Sequence, residues 1–242
     1  VDSGNFIASL MVCQSYLEQN AAEKLAKLCE KMIREVDFKK LYTNQNLFSI
    51  GYESLELHLA NDNYNKLASI SRLTSFVAIA KGDVSNKHWS FLEKSLITYD
   101  HRKGLESELG TASDYYMPLL FMKNYSNTVL DEAYQFAHAC QKSYVGKVDK
   151  KLPWGISRSA YNQLDISNNY KCYDFSVFYL TKCDNDDNRI VISPYSSLMV
   201  TELYPKEIYD NILKFKKLSM LSMYGFYDAY DYSSKIAVRV CF

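Results

Sequence analysis

Neither sign of charge predominates in this sequence: 28 Lys and Arg offset 28 Asp and Glu, for a formal net charge of +0. A nucleic-acid binder needs a cationic excess to displace phosphate counterions, and a membrane-surface protein needs a polybasic face. The balance argues against both partners. Long apolar runs are also missing. Without a stretch of about 18 uncharged apolar residues, no membrane span and no direct membrane contact are expected from this segment. The opening Val1-Asp2-Ser3-Gly4-Asn5 has neither the positive region of a signal peptide nor an initiating Met. Among six cysteines there is no CxxC pair, and the four histidines supply no HxxxH spacing. No zinc, redox centre or other cofactor is therefore expected. Cys13, Cys29 and Cys140 fall in apolar helical patterns and read as buried thiols in a reducing cytoplasm. Low-complexity segments, charge runs and linkers are lacking as well, so residues 1–242 read as a single domain.

What the sequence has in excess is tyrosine, 21 residues against 12 Phe and 2 Trp. A ring with a polar tip suits a wet groove. Apolar residues at helical spacing predict a helix near the N-terminus, with Asp2 or Ser3 as cap. A second helix follows, opened by an Asn20–Glu23 capping box and striped by Leu25, Leu28, Cys29, Met32, Ile33 and Val36. Residues 38–42 and 47–52 look like a short hairpin. Further helices are predicted over 63–80, 88–92, 114–122 (around Pro118) and 127–145, the last stopped by Gly146. Two more, over 195–203 and 206–217, each start just after a proline. Strands are expected over 174–180 and 189–193, and 236–242 is either a strand or an unfinished helix. Helices dominate, joined by long aromatic-rich loops.

Four segments carry polar residues that a core has no use for: 2–5, 110–116, 154–162 with Asp165 beyond, and 224–232. Carboxylates interleaved with aromatics suit sugars, since ring faces stack on pyranose CH surfaces while carboxylates and amides bond the hydroxyls. Glycoside chemistry then needs two carboxyls astride one bond. Plainer readings stand beside this one. Asp2 is a helix cap or a ligand, and 224–232 is a sugar loop or a hydrogen-bonded aromatic turn.

In order, these segments resemble the glucoamylase-like central domain of cyclic β-1,2-glucan synthases. A V-D-S-G-N-L-like opening matches residues 1–6, and L-F-S-I-G-Y matches 47–52. L-A-S-x-x-R-L-x-S-F-x-A-I-A-K-G-D-V matches 67–84, followed by His88-Trp89. E-Y-L-M-P-L-L matches 114–120, L-D-E-x-Y matches 130–134, P-W-G-I-S-E-S-A-Y-N matches 153–162, and Y-G-F-Y-E-A-L-D-Y matches 224–232. The resemblance covers nearly the whole chain. It implies a mainly α fold, an (α/α)6-type helical toroid or barrel with short β-hairpins in the loops. It also implies anomer-retaining transglycosylation that closes linear β-1,2-glucan into rings; related domains hydrolyse that glucan. The implied partners are β-1,2-glucan or its oligosaccharides and the remaining parts of a membrane-associated bacterial glucan synthase. The implied location is the cytoplasm, at the inner membrane through those parts.

Arg158 stands where the family has Glu, and Asp228 and Asp114 each replace a Glu. The resemblance makes positions 158 and 228 the expected catalytic pair. Arg cannot give up a proton near neutral pH, its pKa exceeding about 12. Asp228 sets its carboxyl back by roughly 1.5 Å, and a misplacement of about 1 Å can cost on the order of a hundredfold. An impaired enzyme is therefore expected. The alternatives are a non-catalytic carbohydrate-binding module and a non-functional remnant. Candidate substrate contacts are Asp2, Asn5, Tyr52, Arg72, Asp114, Trp154, Tyr161, Asp165, Phe226 and Asp231, with Trp154 a sugar platform in a loop. A barrel of this type takes about a dozen helices and the pattern offers eight or nine. With the absent Met, that suggests a fragment of a larger domain, incomplete at its C-terminus; a shortened but viable domain is the alternative.

Overall fold

Gly4 explains how the first helix lies where it does. A Cβ at this position would sit 2.0 Å from Thr74 Oγ1 and 2.7 Å from Thr74 Cα, so only glycine allows the two helices to approach this closely. In the computed structural model, residues 1–53, 58–173, 190–233 and 236–238 are described. They fall into two compact units. Unit 1 comprises 1–95 and 121–123, and unit 2 comprises 96–120 and 124–242.

Unit 1 runs through α1 (Asp2–Gln19), α2 (Glu23–Glu35), a 3-10 turn (Phe38–Leu41), β1 (Phe48–Ser49), β2 (Tyr52–Glu53), β3 (His58–Leu59), β4 (Asn63–Tyr64), α3 (Arg72–Ala80) and α4 (His88–Phe91). Helix α1 packs on α2 and α3. Their shared core is Ile7, Ala8, Ile33, Phe38, Phe48, Leu73, Val77, Ala78 and Val84. The expected caps do not form: α1 and α2 have no side-chain cap, and Asn20 instead closes α1 by donating from Nδ2 to Tyr16 O. Leu25 and Leu28 of the expected stripe are exposed, whereas Ala26 and Ile33 are buried. The anticipated hairpin shrinks to one Tyr42–Phe48 bridge, because β1 pairs with β4. That pairing uses Asn63 and Tyr64, so the helix expected from 63 begins only at Arg72; it still stops before Gly82, whose φ is +78°. His88 is a satisfied core histidine, Nδ1 meeting Asn46 O and Nε2 meeting Ser75 Oγ, each at 2.8 Å.

Unit 2 runs through β5 (Leu96–Tyr99), β6 (Arg102–Leu105), α5 (Ala112–Tyr116), a 3-10 turn (Met117–Leu120), α6 (Val129–Val148), β7 (Ser159–Leu164), β8 (Tyr170–Tyr173), β9 (Val191–Ile192), α7 (Pro194–Leu198), α8 (Pro205–Lys217), β10 (Leu221–Ser222), β11 (Gly225–Phe226), β12 (Ala229–Asp231) and β13 (Ile236–Val238). Pro118 sits in the 3-10 turn, where its missing N–H is tolerated. Prolines open α7 and α8 as expected, although α7 is shorter than its pattern suggested. Gly146 lies inside α6 instead of ending it. Of the two readings of 236–242, the strand holds over the described part: β13 joins β12 and β9 in a three-stranded antiparallel sheet. The strand expected over 174–180 lies outside the described residues.

Eight α-helices and six small sheets are present among the described residues, which bears out a helix-dominated fold with short hairpins. Of the three thiols read as buried, Cys140 is, but Cys13 is exposed and Cys29 half-buried. Cys13 lies on a face of α1 turned to solvent, and Cys29 lies along the Ala26–Ile33 stripe of α2 but is only partly covered. Burial pushes the Cys140 thiol up to about 12. No described helix is long and apolar enough to cross a membrane.

Candidate functional site

Residues 153–157 carry the proline and the glycine that keep this stretch out of helix or strand, so its backbone needs partners from elsewhere. Two side-chain amides supply them. Asn211 of α8 accepts from Trp154 N (2.9 Å) and donates to Trp154 O (2.8 Å). Gln141 of α6 accepts from Ile156 N (2.7 Å) and donates to Ile156 O (2.9 Å). Between them Gly155, at φ +135°, brings its backbone against α7: a Cβ there would meet Ser193 O and Ser197 N at 3.1 Å. Both amides are buried. They hold alternate residues much as a neighbouring strand would.

This scaffold presents Ser157 and Arg158. Ser157 Oγ lies 2.6 Å from Ser113 Oγ and accepts from Ser113 N at the start of α5. Arg158 is exposed, and its carbonyl accepts from the Tyr195 hydroxyl at 2.5 Å. Burial raises the Tyr195 pKa, opposed by its bond to Ser157 and assisted by the nearby Asp228 charge. Strand β7 then runs beside β12. Its alternate amides face one side, and two of them reach carboxylates: Ala160 N donates to Asp228 Oδ2 (2.9 Å) and Asn162 N to Asp231 Oδ2 (3.3 Å). Arg158 and Asp228, far apart in sequence, thus lie immediately before β7 and β12, two strands that run side by side.

The other expected contacts in unit 2 are engaged in structure. Asp231 is 0% exposed, and its second oxygen accepts from Ser233 N. Asp114 is 3% exposed and accepts from Leu109 N and Ser107 Oγ, bracing the loop before α5; burial raises its pKa to about 6. Asp165 accepts from Ser167 N and Asn169 N in the β7–β8 turn, and the Asn169 and Ser167 amides lower its pKa. Trp154 is 5% exposed, its ring edge-on to His138, which corrects the expectation of an open platform. The clamp on its backbone draws the side chain inward. Phe226 packs edge-on to Phe215 from the β10–β11 hairpin, whose tip leaves Tyr224 91% exposed. Tyr161 lies in β7.

Four candidates belong to unit 1. Asp2 is exposed in the first turn of α1 without capping it, so the cap reading is corrected. Asn5 keeps a buried Oδ1 with no hydrogen bond among the described residues. Tyr52 is 53% exposed on β2. Arg72 is fully buried and donates from Nη1 to Leu67 O.

Tyr195, Gln141 and Asn211 escaped the sequence reading. For the two amides a signal existed: Gln141 falls in step with Tyr134, Ala137 and Val145 on α6, and Asn211 with Ile208 and Phe215 on α8. A polar amide within an apolar stripe is a group with a buried partner.

Comparison with known proteins agrees with this architecture. The chain is 32% identical over 199 residues to the cyclic beta-(1,2)-glucan synthase NdvB of Rhizobium meliloti, covering 82% of this chain and 7% of that protein. An endo-beta-1,2-glucanase from Chitinophaga pinensis, solved with sophorotriose and glucose, superposes with a TM-score of 0.74 at 16% identity over 98% of this chain and 60% of that one. A structure described as a "putative glucoamylase" from Bacteroides caccae gives 0.75 at 17% identity, over 98% of this chain and 61% of that one. The chain therefore spans about three fifths of the solved relatives and a small part of the curated one. The sequence model of the Glycoamylase family, described as "Putative glucoamylase", matches residues 62–242, and on that match the chain belongs to this glucoamylase-like family.

Proposed function

We propose that this chain binds β-1,2-glucan at the Ser157–Arg158–Asp228 site and is impaired in processing it. The observation that carries this reading is the Ala160–Asp228 bond, which ties Asp228 to the start of the strand that follows Arg158. Glycoside processing requires two carboxyls, about 5–5.5 Å apart for retention and about 6.5–9.5 Å for inversion. Position 158 offers a guanidinium, which cannot donate a proton near neutral pH. Nearby carboxyls do not take its place: Asp231 is fully buried between two backbone amides, and Asp114 is buried against its own loop. Asp228 is left as the single reacting carboxyl. The names of the relatives supply the linkage. The Tyr224 ring at the hairpin tip takes the platform role first given to Trp154.

The fold we infer is an (α/α)6-type toroid, to which this chain contributes as one domain of a longer cytoplasmic glucan synthase at the inner membrane. A carbohydrate-binding module without chemistry is the second reading, and the same observation favours it. The test measures reducing ends and cyclic product from linear β-1,2-glucan, with binding followed by calorimetry. Wild type is expected to bind with turnover at least a hundredfold below an intact relative, and Arg158→Glu with Asp228→Glu to recover part of it. Wild-type turnover equal to that of the relative would overturn the proposal.

A further inference from the structure

Unit 2 contains a cleft of ≈ 660 Å³ that the site above does not use. It opens at the N-terminal turns of α6 and α8, whereas the Ser157–Asp228 site is built from the segments that follow their C-terminal ends. Its size falls within the range of about 300–1,000 Å³ usual for small-molecule sites. Asn124, Asp131, Gln135, His138, Tyr204 and Glu207 line it.

Two buried polar atoms here have no hydrogen-bond partner among the described residues: Asn124 Oδ1 and His138 Nε2. His138 is 8% exposed and stacked on Tyr204 with centroids 3.8 Å apart, so its ring is held in place. Its Nε2 lies 3.2 Å from Glu207 Oε2, but off the direction along which a ring N–H donates. Leaving such atoms bare is costly, and a ligand hydroxyl would offset that cost.

The carboxylates do not make the cleft a cation site. Asp131 Oδ1 accepts from Asn124 Nδ2 (2.7 Å), and its Oδ2 accepts from Asn127 N (3.1 Å) and Gln135 Nε2 (3.0 Å). Glu207 is paired with Lys142. Asp131 thus has both oxygens taken by N–H donors and Glu207 has a counter-charge, while burial keeps His138 neutral near pH 7, its pKa pushed down to about 4. The cleft is lined by amide, imidazole and phenol groups together with these two engaged carboxylates, beside Leu203. Such a set matches hydroxyls on an uncharged ring.

We propose that this cleft is a second saccharide site, taking a short segment of neutral glucan through Asn124 Oδ1 and His138 Nε2. The sugar's identity rests on the function proposed above; the chemistry of the cleft does not. The test is a titration of the ¹⁵N-labelled full chain with sophorotriose, followed by amide shifts. Two groups of shifts are expected, one over 124–138 and 203–207 and one over 157–160 and 228. His138→Phe, which keeps the ring stack, is expected to weaken the first group at least tenfold and spare the second, while Asp228→Ala does the reverse. Should His138→Phe unfold, the double variant Asn124→Ala/Gln135→Ala replaces it with the same expectation. Shifts confined to the Asp228 group, or a first group indifferent to both variants, overturn the second site and leave the proposed function standing. Shifts over 124–138 produced by Ca²⁺ and not by sophorotriose overturn it in favour of a cation. No shifts anywhere overturn both proposals.

Discussion

His138 and Asp114 are both buried, and burial moves them in opposite directions because it always disfavours the charged form. His138 falls from its ordinary value near 6.5 to about 4, the Glu207 charge opposing and the Lys142 charge assisting. Its contribution to stability is present above pH 6.5 and lost as the pH falls toward 4, by about 3 kcal/mol across that range. Asp114 rises from 3.8 to about 6, so its contribution is present below pH 3.8 and lost as the pH climbs through 6. Urea unfolding between pH 4 and 7 separates the two. His138→Phe is expected to flatten the acid-side loss, whereas Asp114→Asn is expected to make the same loss steeper. A pH profile unchanged by both substitutions would refute this account.

At the scale of elements, the stretch 153–157 matters because it is irregular and yet satisfied. Asn211 and Gln141 each serve both backbone groups of one residue. Replacing either by Leu leaves a buried N–H and a buried C=O without those partners, at roughly 1–3 kcal/mol per group. Asn211→Leu and Gln141→Leu should each lower unfolding free energy by about 2–4 kcal/mol, measured by urea denaturation at pH 7. Because the stretch carries Ser157 and Arg158, sugar binding should weaken as well. The contact of α1 with α3 is as exacting. Gly4→Ala puts a methyl 2.0 Å from Thr74 Oγ1 and 2.7 Å from backbone, so the helices must separate. A loss of about 1–3 kcal/mol, read as a lower melting temperature, is expected from overpacking of this kind.

For the whole molecule, the two units divide the candidate residues. Asp2, Asn5, Tyr52 and Arg72 belong to unit 1; the others belong to unit 2. Each unit buries large apolar side chains of its own, Ile7, Phe38 and Leu73 in the first and Tyr115, Ile156 and Ile192 in the second. The Ser157–Asp228 site and the second cleft both lie in unit 2, so the activity and titration experiments report on that unit. Part of the tyrosine excess is now explained there. Tyr115 is buried with its hydroxyl on Leu105 O, Tyr195 reaches Arg158 O, and Tyr204 supports His138. Tyr115 and Tyr195 are structural through these bonds, while Tyr204 also lines the second cleft.

The sequence by itself determined the helical class, the helix starts at Pro194 and Pro205, the family, and the two departures at 158 and 228. Those features are local: a period of 3.6 residues, a proline that sets φ, a motif read in order. Tertiary structure decided where the register changed at 63–72, because β1 claimed Asn63 and Tyr64 as partners. It also decided that Trp154 faces inward and that Asp231 and Asp165 spend their oxygens on backbone amides. It placed Gln141 and Asn211 against a loop between them in sequence. A hydrogen bond between residues 57 apart leaves no mark on local periodicity, so the amides that hold this site could be recognised only once the chain had brought them to it.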